Sequence, residues 1–408
     1  MPIKREKKII IFTAVLIFAL KFLLALYFSA NKAIDLGDQS AFRYWTELLI
    51  RSGLDKFYSQ AQFFPYPPLA NYLFFFIGKI CSGIGVSLES PVFNLFIRLP
   101  GILGDIGTAI LLYALCRKIT DFRLSYGLFV FYLFQPAAIF ISSVWGQPDG
   151  FMTLFLVLAF YLIVNKKINL GLVSLLFAFL LKPQALPLVI PMGFIALAVG
   201  GIKRFIMAIL LVAILFFALF YPFYPHDPFL GPFYYFSETQ QDFSPRFTAS
   251  AFNFWYFFYG GWQDNFPVLL GFSVRLWSRI LFILSLVVGT FFGCRSKSVS
   301  GKSLAVGLSG FAFFLFFTQI KERYLFAALP FFCLAVFLHR NRIAIILTVV
   351  LSLLFSINTM GFFVGWVNFG LWNSTFLSWG SLDKITAALF ILLFCYYLSL
   401  LKKSENNI

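Results

Sequence analysis

Long apolar runs separated by short polar interruptions recur along the chain, and within a run apolar and polar residues do not alternate. A membrane-crossing helix needs about 20 mostly apolar residues, whereas a barrel strand alternates with period two. Stretches such as Ala208 to Phe220, "AILLVAILFFALF", therefore predict helices, and the pattern as a whole predicts an all-α polytopic membrane protein. Lys/Arg clusters order the spans, because positive loops are retained in the cytoplasm. They fall at 4–8, 117–123, 166–167, 203–204, 295–302, 340–342 and 402–403. Successive clusters must be two spans apart. About twelve transmembrane helices (eleven to thirteen) satisfy this, over 9–30, 94–115, 124–142, 150–164, 168–181, 185–200, 205–222, 270–292, 303–318, 324–338, 343–358 and 384–401. Both termini are then cytoplasmic. Residues 67–84 are apolar enough for a helix, but as a span they would reverse every later cluster. They are expected as a re-entrant or membrane-surface helix, with full crossing as the competing topology.

The chain is expected to form one integral-membrane domain over 1–408, with a first external loop at 31–92 and longer external connections at 223–269 and 359–383. Most of the sixteen acidic residues then face outward, which places any chemistry on the non-cytoplasmic side. Within the first loop, Phe42, Trp45, Leu48 and Leu49 recur at helical spacing, with Arg43, Thr46, Glu47 and Arg51 opposite. That is an amphipathic helix suited to the membrane interface.

Composition agrees with the pattern. Hydrophobic residues are 61% and charged residues 12%, against nearly half and about a quarter in soluble domains. The net charge of +16 is scattered among short interhelical clusters, so topology explains it and nucleic acid is not an expected partner. The five cysteines show no metal spacing and mostly lie in apolar runs, as small core hydrophobes do. The N-terminal run is longer than a signal-peptide core and is interrupted by Lys21, which reads as a retained first span.

Several polar residues stand out against this background. Asp38 precedes Gln39 and Ser40 at a helix-start position, where it reads either as a cap or as a carboxylate available for general-base work, with Asp35 as partner or metal ligand. Tandem prolines in "PYPPL" (65–69) suit an extended approach followed by a helix start. "SVWGQPDG" (143–150) combines an interfacial Trp145 with a turn signal, and Asp149 follows at the start of a span. "KPQ" puts Lys182 and Gln184 at the outer end of a short span, where Pro183 and Pro187 break or kink the helix. "KERY" concentrates Lys321, Glu322, Arg323 and Tyr324 in a short outer connection. Arg98 and Asp105, seven residues apart, share a helix face and are expected to point inward. Lys182, Lys321 and Arg323 suit a phosphate.

These motifs occur in an order that spans most of the chain: Asp38-x3-Phe42-x2-Trp45, Gly53, Phe57-Tyr58, "YPPL" (66–69), "WGQPD" (145–149), "KPQ" (182–184) and "KERYLF" (321–326). Together they resemble the GT-C superfamily of integral-membrane glycosyltransferases. The likeness is strongest to bacterial and archaeal proteins related to GPI mannosyltransferases and to glucosyltransferases that extend lipid-linked oligosaccharides. The resemblance implies a polyprenyl-phosphate-linked sugar donor and inverting transfer to a hydroxyl of a glycan or glycolipid acceptor. It also implies chemistry on the non-cytoplasmic face of the cell membrane, among membrane lipids. Asp38 would be the general base, with Asp35 beside it. The substrate-contacting set would be Arg98, Asp105, Trp145, Gln147, Asp149, Lys182, Gln184, Lys321, Glu322, Arg323 and Tyr324. No cofactor is required, and a divalent cation is compatible with Asp35 and Asp38. The chain departs from the pattern in having Pro65 where the eukaryotic glucosyltransferases carry Asp, and Lys321 where His is common. The alternative reading is a multi-pass lipid or solute transporter.

Overall fold

A chain that must satisfy its backbone polar groups in hydrocarbon has helix as its simplest solution, and most of the described residues are helical. The structure, a computed structural model, describes residues 2–30, 38–62, 66–241, 247–261, 265–369 and 382–406. The chain starts with α1 (Pro2–Ala30), α2 (Asp38–Ser52), the single turn α3 (Phe57–Gln60) and α4 (Pro68–Gly83). There follow α5 (Pro91–Arg117), α6 (Phe122–Leu133) and the short α7 (Pro136–Ile139). A π-helical turn at Phe140–Trp145 leads to α8 (Asp149–Val164) and α9 (Ile168–Leu181). After a 3-10 turn at Pro183–Ala185 come α10 (Leu186–Gly200), α11 (Ile202–Phe220), α12 (Gly231–Gln241) and α13 (Phe254–Tyr259). A two-stranded antiparallel hairpin, β1 (Val268–Leu269) and β2 (Phe272–Ser273), pairs Val268 with Ser273 and Leu269 with Phe272. The last helices are α14 (Val274–Arg295), α15 (Val299–Phe316), α16 (Leu329–His339), α17 (Arg342–Phe369) and α18 (Leu382–Asn406).

Among the described residues, eight helices are long and apolar enough to cross a membrane. A pair bent by 50°, Phe122–Leu133 with Pro136–Trp145, adds a ninth if counted as one span. The protein is therefore an all-α, multi-pass membrane protein. The expected spans at 150–164, 168–181 and 324–338 correspond to the shorter apolar helices α8, α9 and Phe326–His339. At 1.5 Å per residue, the 16 residues of α8 reach about 24 Å, less than the ~30 Å hydrocarbon core. The connection expected over 359–383 is helical as far as Phe369, because α17 continues that far.

The helices form two compact units. The first comprises Met1–Thr108, Ile139–Ala185 and Gly200–Phe243. In it α5 passes close to the start of α8, and glycine makes that approach possible. A Cβ on Gly104 would fall on the Gly150 carbonyl, and one on Gly101 would come within 2.7 Å of the Gln147 carbonyl oxygen. Gly104→Ala is accordingly expected to lower stability by about 1–3 kcal/mol through overpacking against backbone, which cannot yield as a side chain could. Thermal unfolding in detergent measures it, and an unchanged melting temperature would show that the approach tolerates a methyl group.

The amphipathic stripe of α2 is real, but its apolar face is covered by protein. Phe42 stacks on Phe74 of α4 with ring centroids 5.0 Å apart, and Trp45 lies 6.2 Å from the same ring. Thr46, expected on the polar face, is fully buried and donates to the Phe42 carbonyl at 2.7 Å. Its methyl group faces Gly78 of α4, and that close approach draws it inside. Residues 67–84 do form a helix, with Pro68 at its first position, as the tandem prolines predict. Pro183 stands at the break after α9, whereas Pro187 sits within the first turn of α10 and interrupts nothing, because the first-turn N–H groups have no intrahelical partner.

The second unit comprises Ala109–Ala138, Leu186–Val199 and Ser244–Ile408. Its centre is α15, which is buried along most of its length and packs on α14, α16 and α18. Asn253 caps α13 by accepting from the Tyr256 amide at 3.0 Å, and Trp255 donates to the Phe316 carbonyl at 2.6 Å. Tyr256 donates to Asp383 at 2.7 Å; burial and that carboxylate hold its hydroxyl proton well above the usual phenol range.

Candidate functional site

The π-helical turn at Phe140–Trp145 ends inside the first unit, so its last carbonyls need donors other than water. Two side chains supply them. Gln39 donates to the carbonyls of Trp145 and Gly146 at 3.0 and 3.1 Å. Arg98 donates to the Val144 carbonyl at 3.2 Å and to Gln39 Oε1 at 3.3 Å. A cation at a helix C-terminus also meets a favourable dipole. Gly146 closes the turn at φ +80°, a conformation that favours glycine, and a Cβ there would strike Gln39 and Arg98.

This turn aims Trp145 back at α2, where its indole Nε1 donates to Asp38 Oδ2 at 2.9 Å. Asp38 is the first residue of α2 itself, half-buried, and its carboxylate meets the helix N-terminus favourably as well as the indole. Asp35 lies outside the described residues.

Three residues beyond the turn, Asp149 opens α8, buried, and forms an ion pair with Lys182 at 2.6 Å. Lys182 ends α9 and reaches Gln147 Oε1 at 3.0 Å, while Gln184 donates to the other oxygen of Asp149 at 2.7 Å. "WGQPD" and "KPQ" are thus one hydrogen-bonded assembly built across two helix ends. The Lys182 ammonium also sits 4.9 Å from the centroid of Tyr66, over its ring. Tyr66 belongs to an aromatic group with Phe42, Trp45 and Phe74, and its carbonyl accepts from Tyr58 and Asn71. Burial pushes the Tyr58 phenol well above its usual range, so it stays neutral and can donate.

Asp105 lies in the same unit but turns elsewhere. It pairs with Lys21 of α1 at 2.5 Å, both fully buried, and Lys21 also reaches Ser142 Oγ at 3.4 Å. Arg98 and Asp105 therefore both point inward, as their shared face predicts, while serving different partners.

The "KERY" residues belong to the second unit. Lys321 is exposed, whereas Glu322 and Arg323 are buried and pair with each other at 3.0 Å. Ser250 donates to the second oxygen of Glu322, and Asn358 donates to the Ser250 carbonyl at 2.9 Å. Tyr324 stacks against Phe313 with ring planes 9° apart.

The structure thus brings Asp38, Arg98, Trp145, Gln147, Asp149, Lys182 and Gln184 together in one unit. It adds Gln39, Lys21, Ser142 and Ser250, which the motif reading does not single out. Gln39 lies three residues before Phe42, on the apolar stripe, and a polar residue there was its signal. Lys21, a cation within a long apolar run, carried the signal of a functional or paired intramembrane charge. Ser250 and Ser142 had none. Among the described residues, no three His, Cys, Asp or Glu side chains converge as a metal site. No protein-family model matches the chain, and comparison with curated proteins finds no match.

Proposed function

We propose that the protein is an inverting glycosyltransferase of the GT-C type that moves a hexosyl unit from a polyprenyl-phosphate donor to an acceptor hydroxyl. The observation that carries this reading is the 2.9 Å hydrogen bond from Trp145 to Asp38, which joins the first-loop carboxylate to the "WGQPD"–"KPQ" assembly. A base must be held in one orientation to take a proton from an attacking hydroxyl, and the indole N–H does that without supplying a competing charge. In the proposed step Asp38 accepts the acceptor's proton as its oxygen bonds to the anomeric carbon. The bond from that carbon to the phosphate oxygen breaks on the opposite face, and polyprenyl phosphate departs with the electron pair.

Lys182 is the cation of this assembly suited to the developing phosphate charge, and Asp149 and Gln147 position it. The phosphate-contacting role that the resemblance implies for Lys321 and Arg323 stays part of the proposal. So do twelve spans, reached by adding the bent pair and the three shorter apolar helices to the eight long ones. Cytoplasmic termini and an outward-facing site in the cell membrane complete it.

The test is transfer by the purified chain, supplied with polyprenyl-phosphate mannose or glucose and membrane-lipid acceptors. Release of polyprenyl phosphate with formation of an inverted glycosidic linkage is expected. Donor movement across proteoliposomes without transfer would favour the transporter reading instead. Trp145→Phe keeps the ring and removes the donor; loss of a hydrogen bond to a charged group, about 1.5–3 kcal/mol, is expected to lower turnover roughly tenfold or more. Unchanged turnover in that variant would detach Trp145 from the base.

A further inference from the structure

We propose that the β1–β2 hairpin is a membrane anchor whose apolar tip seats in the headgroup–acyl boundary of a phospholipid bilayer, beside the start of α14. A two-residue hairpin turn with both central residues at positive φ normally takes Asn, Asp or Gly at the first of them. Here Leu270 occupies it at φ +51°, followed by Gly271 at φ +81°. An apolar, branched side chain has been placed at the tip in spite of its conformational cost. Leu270 is 80% exposed and Val268 70% exposed, with Leu269 and Phe272 exposed beside them. In water this would be a contiguous greasy surface on a hairpin too short to be stable alone.

The tip is nevertheless held in place. Trp277 donates to the Leu269 carbonyl at 2.8 Å, its ring meets Phe272 edge-on at 6.2 Å, and the Val274 amide donates to the Pro267 carbonyl at 2.9 Å. All three contacts tie the hairpin to the first turn of α14. That helix is a candidate span with only 17% of its apolar window buried, and Leu276, Ile280, Ile283 and Leu284 on it are exposed.

Its charges set the depth. From Arg275 to Arg295 is 20 residues, about 30 Å of helix, which matches the hydrocarbon thickness, and the exposed Arg279, one turn further in than Arg275, is near enough to the same boundary for its long side chain to reach back to the headgroups. With Arg295 at one boundary, Arg275 and Trp277 lie at the other, where Trp is favoured and Arg can reach headgroups. The guanidinium of Arg275 already rests over Phe266, 3.9 Å from the ring centroid. The hairpin emerges at that level, and its exposed surface continues the lipid-facing surface of α14. A bilayer is the occupant this continuity selects.

The experiment places an environment-sensitive nitrobenzoxadiazole label on Leu270→Cys, in a chain whose native cysteines are replaced, and reconstitutes it in phosphatidylcholine/phosphatidylglycerol nanodiscs. Lipids carrying a shallow nitroxide are expected to quench it about threefold more than the same label on Lys118→Cys, with little quenching by aqueous iodide. Iodide quenching equal to that at 118 would overturn the proposal, as would protection from both quenchers, which would mean a protein contact. Should the cysteine-free chain not fold, benzoylphenylalanine at 270 in the chain with its native cysteines serves. A phospholipid adduct at 270 is expected, and its absence while a residue-283 control is adducted would overturn the anchor.

Discussion

Asp38→Asn is expected to lower sugar transfer from a polyprenyl-phosphate donor by about 10²–10⁴-fold, the range that a positioned general base contributes. Asn keeps the size of the side chain and an oxygen that can accept from the Trp145 indole, so α2 should stay docked on α4 and the unfolding temperature should hardly move. An amide cannot take the hydroxyl proton, and turnover should fall while donor affinity is retained. Asp38→Ala should lose turnover to a similar degree and, in addition, the hydrogen bond. Turnover at the wild-type level in either purified variant removes Asp38 from the reaction. The contrast with Trp145→Phe is informative, since the indole orients the base and its loss should cost less than loss of the base itself.

Breaking the Lys21–Asp105 pair from one side is expected to destabilise the protein by about 3–5 kcal/mol, because the remaining partner is left as an uncompensated buried charge. Lys21→Met and Asp105→Leu should each show this loss in thermal or denaturant unfolding in detergent. The double variant should recover most of it, since replacing a buried pair by apolar side chains is often neutral or stabilising. The coupling between the two substitutions is the decisive quantity. Additive losses would show that the two charges do not depend on each other. The pair also has a positional consequence: Lys21 reaches Ser142 in the same π-helical turn that carries Trp145. A stable double variant with reduced sugar transfer would show that the pair orients that turn, beyond holding α1 in place.

How much of this was legible beforehand differs from residue to residue. Helix class and the approximate course of most spans followed from the apolar runs, because in hydrocarbon a run of that length has few other ways to satisfy its backbone. The helix start at Pro68 and the break after Lys182 followed from proline, which acts locally through its missing N–H and fixed φ. "WGQPD" and "KPQ" were recognisable as polar islands. What joins them is a pair of hydrogen bonds across 35 residues and an ion pair across 33, and no local pattern states which polar islands will meet. Thr46 is buried although the stripe puts it on the polar face, because helical spacing says where a residue lies on α2 but not how wide a stripe α4 covers.

By its sequence alone the protein was determined to be a multi-pass helical membrane protein with its polar chemistry confined to a few short segments. Those properties depend on composition and on periodicities within single elements, which solvent and bilayer read directly. Only the tertiary structure decided that Asp149 pairs with Lys182, that Gln39 and Arg98 cap the turn before it, and that Trp145 turns toward Asp38. Each of these is a choice among partners far apart in the chain. It is settled by which helix ends are buried together, and a buried carbonyl, ammonium or carboxylate must then take whatever partner the packing brings within reach.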